Sequence, residues 1–277
     1  MKSKDTILQI YDQYHRTQYL EWDPLSVAHR FRGHEDLELI ALISALFAFG
    51  GVKQILASIE KALALLGCEG GGLLLLLREP DEKKCADLLL NRLKGFRHRI
   101  YVDRDLVGLM LLYRRSFLAH GSLKNHFLKF HNPAHETIET GVNGLVAAYK
   151  QSIDGLPIQA GTHFKHMLNS PQSKSVCKRW VMYLKWMIRP NDGIDLGLWH
   201  GTEGLRPDQL VIPLDTHLFN ISQRLRLTRR KSLNWEMALE VTRALKKVDA
   251  LDPTRFDFSL CRWGMFEYRK LHEVKKP

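Results

Sequence analysis

Cysteine is scarce in this chain, with four in 277 residues. Cys68, Cys85, Cys177 and Cys261 form no Cys-x-x-Cys pair, and none stands at metal-ligand spacing from a histidine. That argues against a disulfide framework, a zinc site or an iron-sulfur centre and leaves reduced, neutral thiols. Long apolar runs are missing too: the five leucines Leu73 to Leu77 are as long a run as any, against the roughly 20 residues that cross a bilayer. The opening Met1-Lys-Ser-Lys-Asp5 leads into an amphipathic stretch without a signal-peptide core. The expectation is a cytoplasmic, monomeric protein with no membrane partner, no metal and no cofactor. Strand-like alternation is scarce as well, which argues against a β architecture.

What the chain does have is hydrophobic content of 45% beside 26% charged residues, enough for a large core and too apolar for disorder. Lys and Arg outnumber Asp and Glu by 41 to 30, a formal charge of +11, which favours a polyanionic partner. Apolar residues recur at three-to-four spacing, as in Leu37, Ile40, Ala41, Ile43, Ser44, Leu46 and Phe47. The spacing predicts an all-α fold, with helices over 4–20, 35–49, 51–66, 80–94, 103–118, 136–150, 160–169, 174–188, 216–226, 235–246 and 255–267. Gly50-Gly51, the Gly70 to Gly72 run and Gly155-Leu156-Pro157 punctuate them, and Pro190 to Pro213 reads as an ordered excursion without a helix. Basic residues gather at Lys94 to Arg104, at Lys174 to Arg189, and at Arg224, Arg226, Arg229, Arg230 and Lys231. A charge run is usually a solvated face; three of them in a basic chain raise the phosphate-binding reading.

The segment Val211-Ile-Pro-Leu-Asp-Thr-His-Leu-Phe-Asn-Ile-Ser-Gln-Arg-Leu225 is the most specific. Asp215 follows an apolar stretch and precedes a periodic helix, so its plain role is an N-cap. The run Pro-Leu-Asp-Thr-His-Leu-Phe, followed by Arg224-Leu225, resembles the Val-Asp-Thr-His-Val signature of the endonuclease III type of helix-hairpin-helix DNA glycosylase. Ser175-Val-Cys-Lys-Arg-Trp-Val-Met-Tyr-Leu-Lys185 is similar to the helix that supplies the family's nucleophilic lysine, with Lys178 at the matching position. Asp36 to Gly50 is a weaker echo of the family's early Ala-x-x-x-Ser-Ala helix. The whole fits a divergent bacterial branch of that superfamily, of the kind left as a domain of unknown function.

The chain also departs from the family. Asn169-Ser-Pro-Gln-Ser-Lys-Ser-Val176 stands where a Leu-Pro-Gly-Val-Gly hairpin would grip a DNA phosphate, and it has no glycine. Archaeal 8-oxoguanine glycosylases also carry an atypical hairpin. Lys178 and Asp215 lie 37 positions apart, about twice the family's interval. Leu46 replaces a glutamine, and the C-terminal cluster cysteines are absent.

The resemblance implies two helical subdomains flanking a cleft. Residues 1–34 would pack with the C-terminal subdomain 206–277, which carries Asp215, and 35–205 would carry Lys178. It implies double-stranded DNA containing a damaged base as partner, with the base flipped out of the stack. Asp215 would stabilise an oxocarbenium-like state. Lys178, its pKa lowered by burial, would attack C1′ and permit strand cleavage through a Schiff base. Trp199 and His217 are the expected pocket residues, and Lys174, Arg179, Arg224, Arg229 and Arg230 the expected DNA contacts. Against each stands a plainer reading: Lys178 as a phosphate contact, with Lys174 on the same helix face as its rival, His217 as a packing residue, and the whole protein as a non-catalytic nucleic-acid binder on a glycosylase-like scaffold.

Overall fold

The computed structural model describes residues 2–268, with side chains described over 4–266. Thirteen α-helices are present among them: α1 (Lys2–Tyr14), α2 (Leu25–His29), α3 (Leu37–Leu46), α4 (Val52–Leu66), α5 (Leu73–Leu77), α6 (Glu82–Arg92), α7 (Asp103–His120), α8 (Leu123–Leu128), α9 (Glu139–Ser152), α10 (Lys178–Ile188), α11 (Thr216–Arg224), α12 (Trp235–Lys246) and α13 (Phe256–Trp263). The only strands described are β1 (Arg97–His98) and β2 (Tyr101–Val102), an antiparallel pair joined by two residues. The fold is all-α, as the periodicity predicts, and among the described residues no helix is long and apolar enough to cross a membrane.

Several expectations shift: the helix expected over 4–20 ends at Tyr14 before a 3-10 turn, Thr17–Trp22, and α2, α5 and α8 fall where no helix was expected. The stretch 160–169 holds only a 3-10 turn, Phe164–Met167, whose first aromatic packs on the helix face opened by Gly108. The helix expected from 174 starts at Lys178 instead, because Lys174 (φ 58°) and Cys177 (φ 49°) are left-handed.

The chain divides into two compact units. The first takes residues up to 20, 133–138 and everything from 170 onward; the second takes 21–132 and 139–169. The expected divisions after 34 and 205 are therefore not where the contacts part. The helix bearing Lys178 belongs with the C-terminal helices, and α1 packs on α13.

The second unit is built around α3, all ten of whose residues are buried, as its nearly unbroken apolar sequence requires. Its one acid, Glu38, accepts from Tyr113 Oη at 2.8 Å and from the backbone N–H groups of Leu123 and Lys124, so it satisfies the start of α8. Asp36 likewise accepts from the N–H groups of Leu73 and Leu74 at the start of α5. Leu46 is fully buried in this helix.

In the first unit α10 is buried from Trp180 to Ile188. The excursion after it is ordered for a clear reason: it supplies the donors that the last carbonyls of α10 lack. Leu196 and Gly197 N–H donate to the Trp186 carbonyl, and Trp199 N–H donates to that of Met187 at 2.7 Å.

Candidate functional site

Lys178 is the first residue of α10 and Asp215 the N-cap of α11, both in the first unit. Asp215 caps as its sequence position predicts: Oδ1 accepts from Leu218 N–H at 2.9 Å. Its other oxygen, Oδ2, accepts from Lys178 Nζ at 2.8 Å. The two residues singled out in sequence thus form one ion pair, partly open to solvent at 32% and 24% side-chain exposure.

Two helix N-termini converge on this pair. A cation at the first position of α10 sits at the positive end of the helix dipole, where it is disfavoured, whereas a carboxylate at the start of α11 is favoured. Asp215 overcomes the handicap of Lys178. Burial works against the charged amine, but the Asp215 carboxylate, with Asp257 adding to it, lifts Lys178 above its ordinary value. Burial also opposes the charged carboxyl of Asp215, and the Lys178 ammonium, the Leu218 N–H and His217 outweigh it, holding Asp215 below its usual range. This corrects the expectation of a lowered Lys178 pKa: burial acts in that direction but Asp215 outweighs it, so the resting pair is ammonium and carboxylate.

Behind the pair lies a buried charge network that sequence reading missed. Lys185, two turns along α10 on the face of Lys178 and 1% exposed, bridges Asp195 at 3.0 Å and Asp257 at 3.2 Å. Arg189 pairs with Asp195, with Asp252 at 2.8 Å and with Asp192 at 2.9 Å, and Asp192 reaches His15 at 3.0 Å. Four carboxylates therefore surround two strong cations. Burial pushes the Asp257 carboxyl up; Lys185 opposes this, while Asp195 and Asp215 add to it. Cys261, one turn after Asp257 on α13, has its thiol raised well above the ordinary value by burial, Asp257 and Asp215. Its Sγ lies 3.8 Å from Asp257 Oδ1. The spacing of Lys178 and Lys185 was the available signal; the acids come from two stretches remote in the chain, 192–195 and 252–257.

The other expected site residues are distributed as follows. Trp199 is 1% exposed, its ring edge-on to Tyr183 at 5.5 Å, so it is core and presents no face to a base; this overturns its expected pocket role, because the excursion folds inward to cap α10. His217 is exposed in the first turn of α11, where it adds to the influences that hold Asp215 below its usual range. Lys174 is exposed but lies before α10, so it does not share the helix face of Lys178. Its left-handed backbone, with that of Cys177, adopts at two non-glycine positions the conformation glycine ordinarily supplies. Arg179 is half-buried. Arg224, Arg229 and Arg230 are exposed; the Arg224 guanidinium lies 5.8 Å from the Trp263 ring centroid, and Arg230 pairs with Glu240 at 3.0 Å. An open cavity lined by the 153–165 loop belongs to the second unit and includes none of the expected site residues.

Among the described residues no group of three or more acidic, histidine or cysteine side chains could hold a metal ion. The family model described as Protein of unknown function (DUF2400) matches residues 23–266, and the chain belongs to that family. No curated protein and no solved structure matches it.

Proposed function

We propose that this member of the DUF2400 family is a DNA glycosylase that excises a damaged base in base-excision repair, with strand cleavage as the further step that Lys178 permits. The observation that carries the reading is the 2.8 Å contact between Lys178 Nζ and Asp215 Oδ2. These are the two residues the resemblance named, 37 positions apart in the chain. The partial exposure of both side chains leaves the pair within reach of an everted nucleotide. An incoming sugar would part the ion pair. Asp215, ionised and fixed by Leu218 N–H, would face the positive charge that develops as the glycosidic bond breaks. Lys178, once its proton passes to the departing base or to a neighbouring carboxylate, would add to C1′ as a neutral amine.

Single-turnover excision on a panel of lesion-bearing duplexes, with borohydride trapping, tests this. Wild type should excise at least one lesion and form a trapped complex. Asp215→Asn should lose excision by orders of magnitude, and Lys178→Gln should lose the trapped complex. Unchanged excision in Asp215→Asn would refute the role of the carboxylate.

One observation favours a second reading, a nucleic-acid binder without chemistry: the amine rests charged and paired. That reading predicts salt-dependent binding in which Lys178→Gln costs no more than one phosphate contact.

A further inference from the structure

The second unit carries a feature that neither the core nor the Lys178 pair explains. Phe49, just after α3, leaves 39% of its surface exposed. The Arg99 guanidinium lies over its ring at 4.6 Å from the centroid. The arginine is held there at a backbone cost. Arg99 is the first of the two residues joining β1 to β2, and it is left-handed (φ 54°), at a turn position where glycine is usual. Gly50 is also at positive φ (117°), and a Cβ there would meet Arg99 Nη1 at 2.6 Å, so the arginine side chain lies directly across the glycine backbone.

The support under the pair is rigid. A carbonyl only accepts, so His98 donates through Nε2 to the Phe49 carbonyl at 3.1 Å, while Nδ1 meets Ser58 Oγ at 2.8 Å. Tyr101 packs edge-on against Phe49, and buried Phe47 packs beneath Tyr101 and His98. Exposed Lys53, Lys94, Arg97 and Arg104 lie close by in the chain, on the segments that carry Phe49 and Arg99. Strained backbone that persists with an exposed aromatic and a planar cation at its end points to function and away from packing.

We propose that Phe49 and Arg99 form a stacking platform for an unpaired nucleobase of a DNA strand. Both groups present flat faces that accept any base, and the flanking lysines and arginines suit the adjoining phosphates. The inference rests on the nucleic-acid half of the reading above and is independent of chemistry at Lys178. The test is the affinity of the full chain for two short duplexes. One is intact, and the other carries a tetrahydrofuran abasic analogue that leaves the opposite base unpaired. Wild type should prefer the second duplex, and Phe49→Ala and Arg99→Gly should each erase about tenfold of that preference. Arg99→Gly should meanwhile melt no lower than wild type, because glycine relieves the left-handed turn; a packing role alone would not combine undiminished stability with weakened binding. The platform is refuted if wild type shows no preference, if both variants keep it, or if they lose affinity equally for the two duplexes, which would make Arg99 a simple phosphate contact. A wild-type chain that binds neither duplex overturns the DNA partnership as a whole and would show no excision either. Binding without excision overturns only the chemistry.

Discussion

Asp215→Asn separates the two jobs of the central carboxylate, because asparagine caps a helix about as well as aspartate and should keep the bond from Leu218 N–H. What it removes is the charge facing Lys178. At an effective dielectric near 20, unit charges 2.8 Å apart attract by about 6 kcal/mol. Desolvation of two partly buried ions offsets most of this, and the residual exposure of both side chains screens it further, leaving a net loss of about 1–2 kcal/mol at neutral pH. The sign of the pH dependence also changes. In wild type the Lys178 pKa is raised by folding, so its stabilisation is fully present below the unfolded lysine value and is lost as pH rises through the folded one. Without Asp215, burial dominates, the folded pKa should drop below the unfolded value, and the variant should recover relative to wild type as pH rises past 9. Urea melts at pH 7 and 9.5, on wild type, both single variants and the Lys178→Gln/Asp215→Asn double variant, measure this directly. A coupling energy at pH 7 below about 0.3 kcal/mol would be indistinguishable from additivity and would refute the ion pair as described.

Asp257→Asn should cost more stability at pH 4 than at pH 8. A carboxyl whose pKa is raised by folding stabilises while protonated and loses that contribution as pH rises through its folded pKa, so removing it hurts least where the carboxylate is charged; the reverse order in urea melts would refute the acid-rich network. Cys261 should resist iodoacetamide at pH 8 far more than an unfolded thiol does, because burial and the neighbouring carboxylates suppress its thiolate; mass-spectrometric labelling at wild-type unfolded rates would contradict this. Leu42→Ala, fully buried in α3, should destabilise by about 2–5 kcal/mol in the same melts, and a loss under 1 kcal/mol would show that the helix is not the centre of its unit. Arg229→Gln should weaken DNA binding evenly across sequences and reduce the salt slope by about one, whereas an unchanged slope would remove it from the phosphate-contacting surface.

Much of the helical order was legible because it is local. Periodicity marks α4 and α12, a nearly unbroken apolar run marks α3, and the Asp215 cap can be read from one aspartate before one amphipathic run. The start of α10 was not legible, since two non-glycine residues, Lys174 and Cys177, take left-handed backbone that no composition signal announces. Trp199 was misplaced for a related reason. A segment rich in Gly, Pro and Asp looks like a surface loop, yet this one turns inward because the carbonyls of Trp186 and Met187 need donors and because Asp195 is drawn to Lys185 and Arg189. The protonation state of Lys178 depends on charges contributed by α11 and α13, which spacing along α10 cannot reveal.

The distribution of charge bears on the proposed chemistry. The chain as a whole is strongly positive at +11, and Lys174, Arg224, Arg229 and Arg230 are exposed on the unit that holds the pair. Directly behind the pair the balance inverts, with Asp192, Asp195, Asp252 and Asp257 set against Lys185 and Arg189. A polyanion would be drawn to such an outer surface. A sugar that becomes cationic as its base departs would instead meet the potential of Asp215 reinforced by the acids beneath it, which is the arrangement that stabilises a transition state more than its ground state. Neutralising Asp257 should therefore slow excision more than it weakens DNA binding, a split that single-turnover rates and equilibrium affinities on the same duplex would measure. Equal losses in both would place Asp257 in the structural support of Lys185 alone.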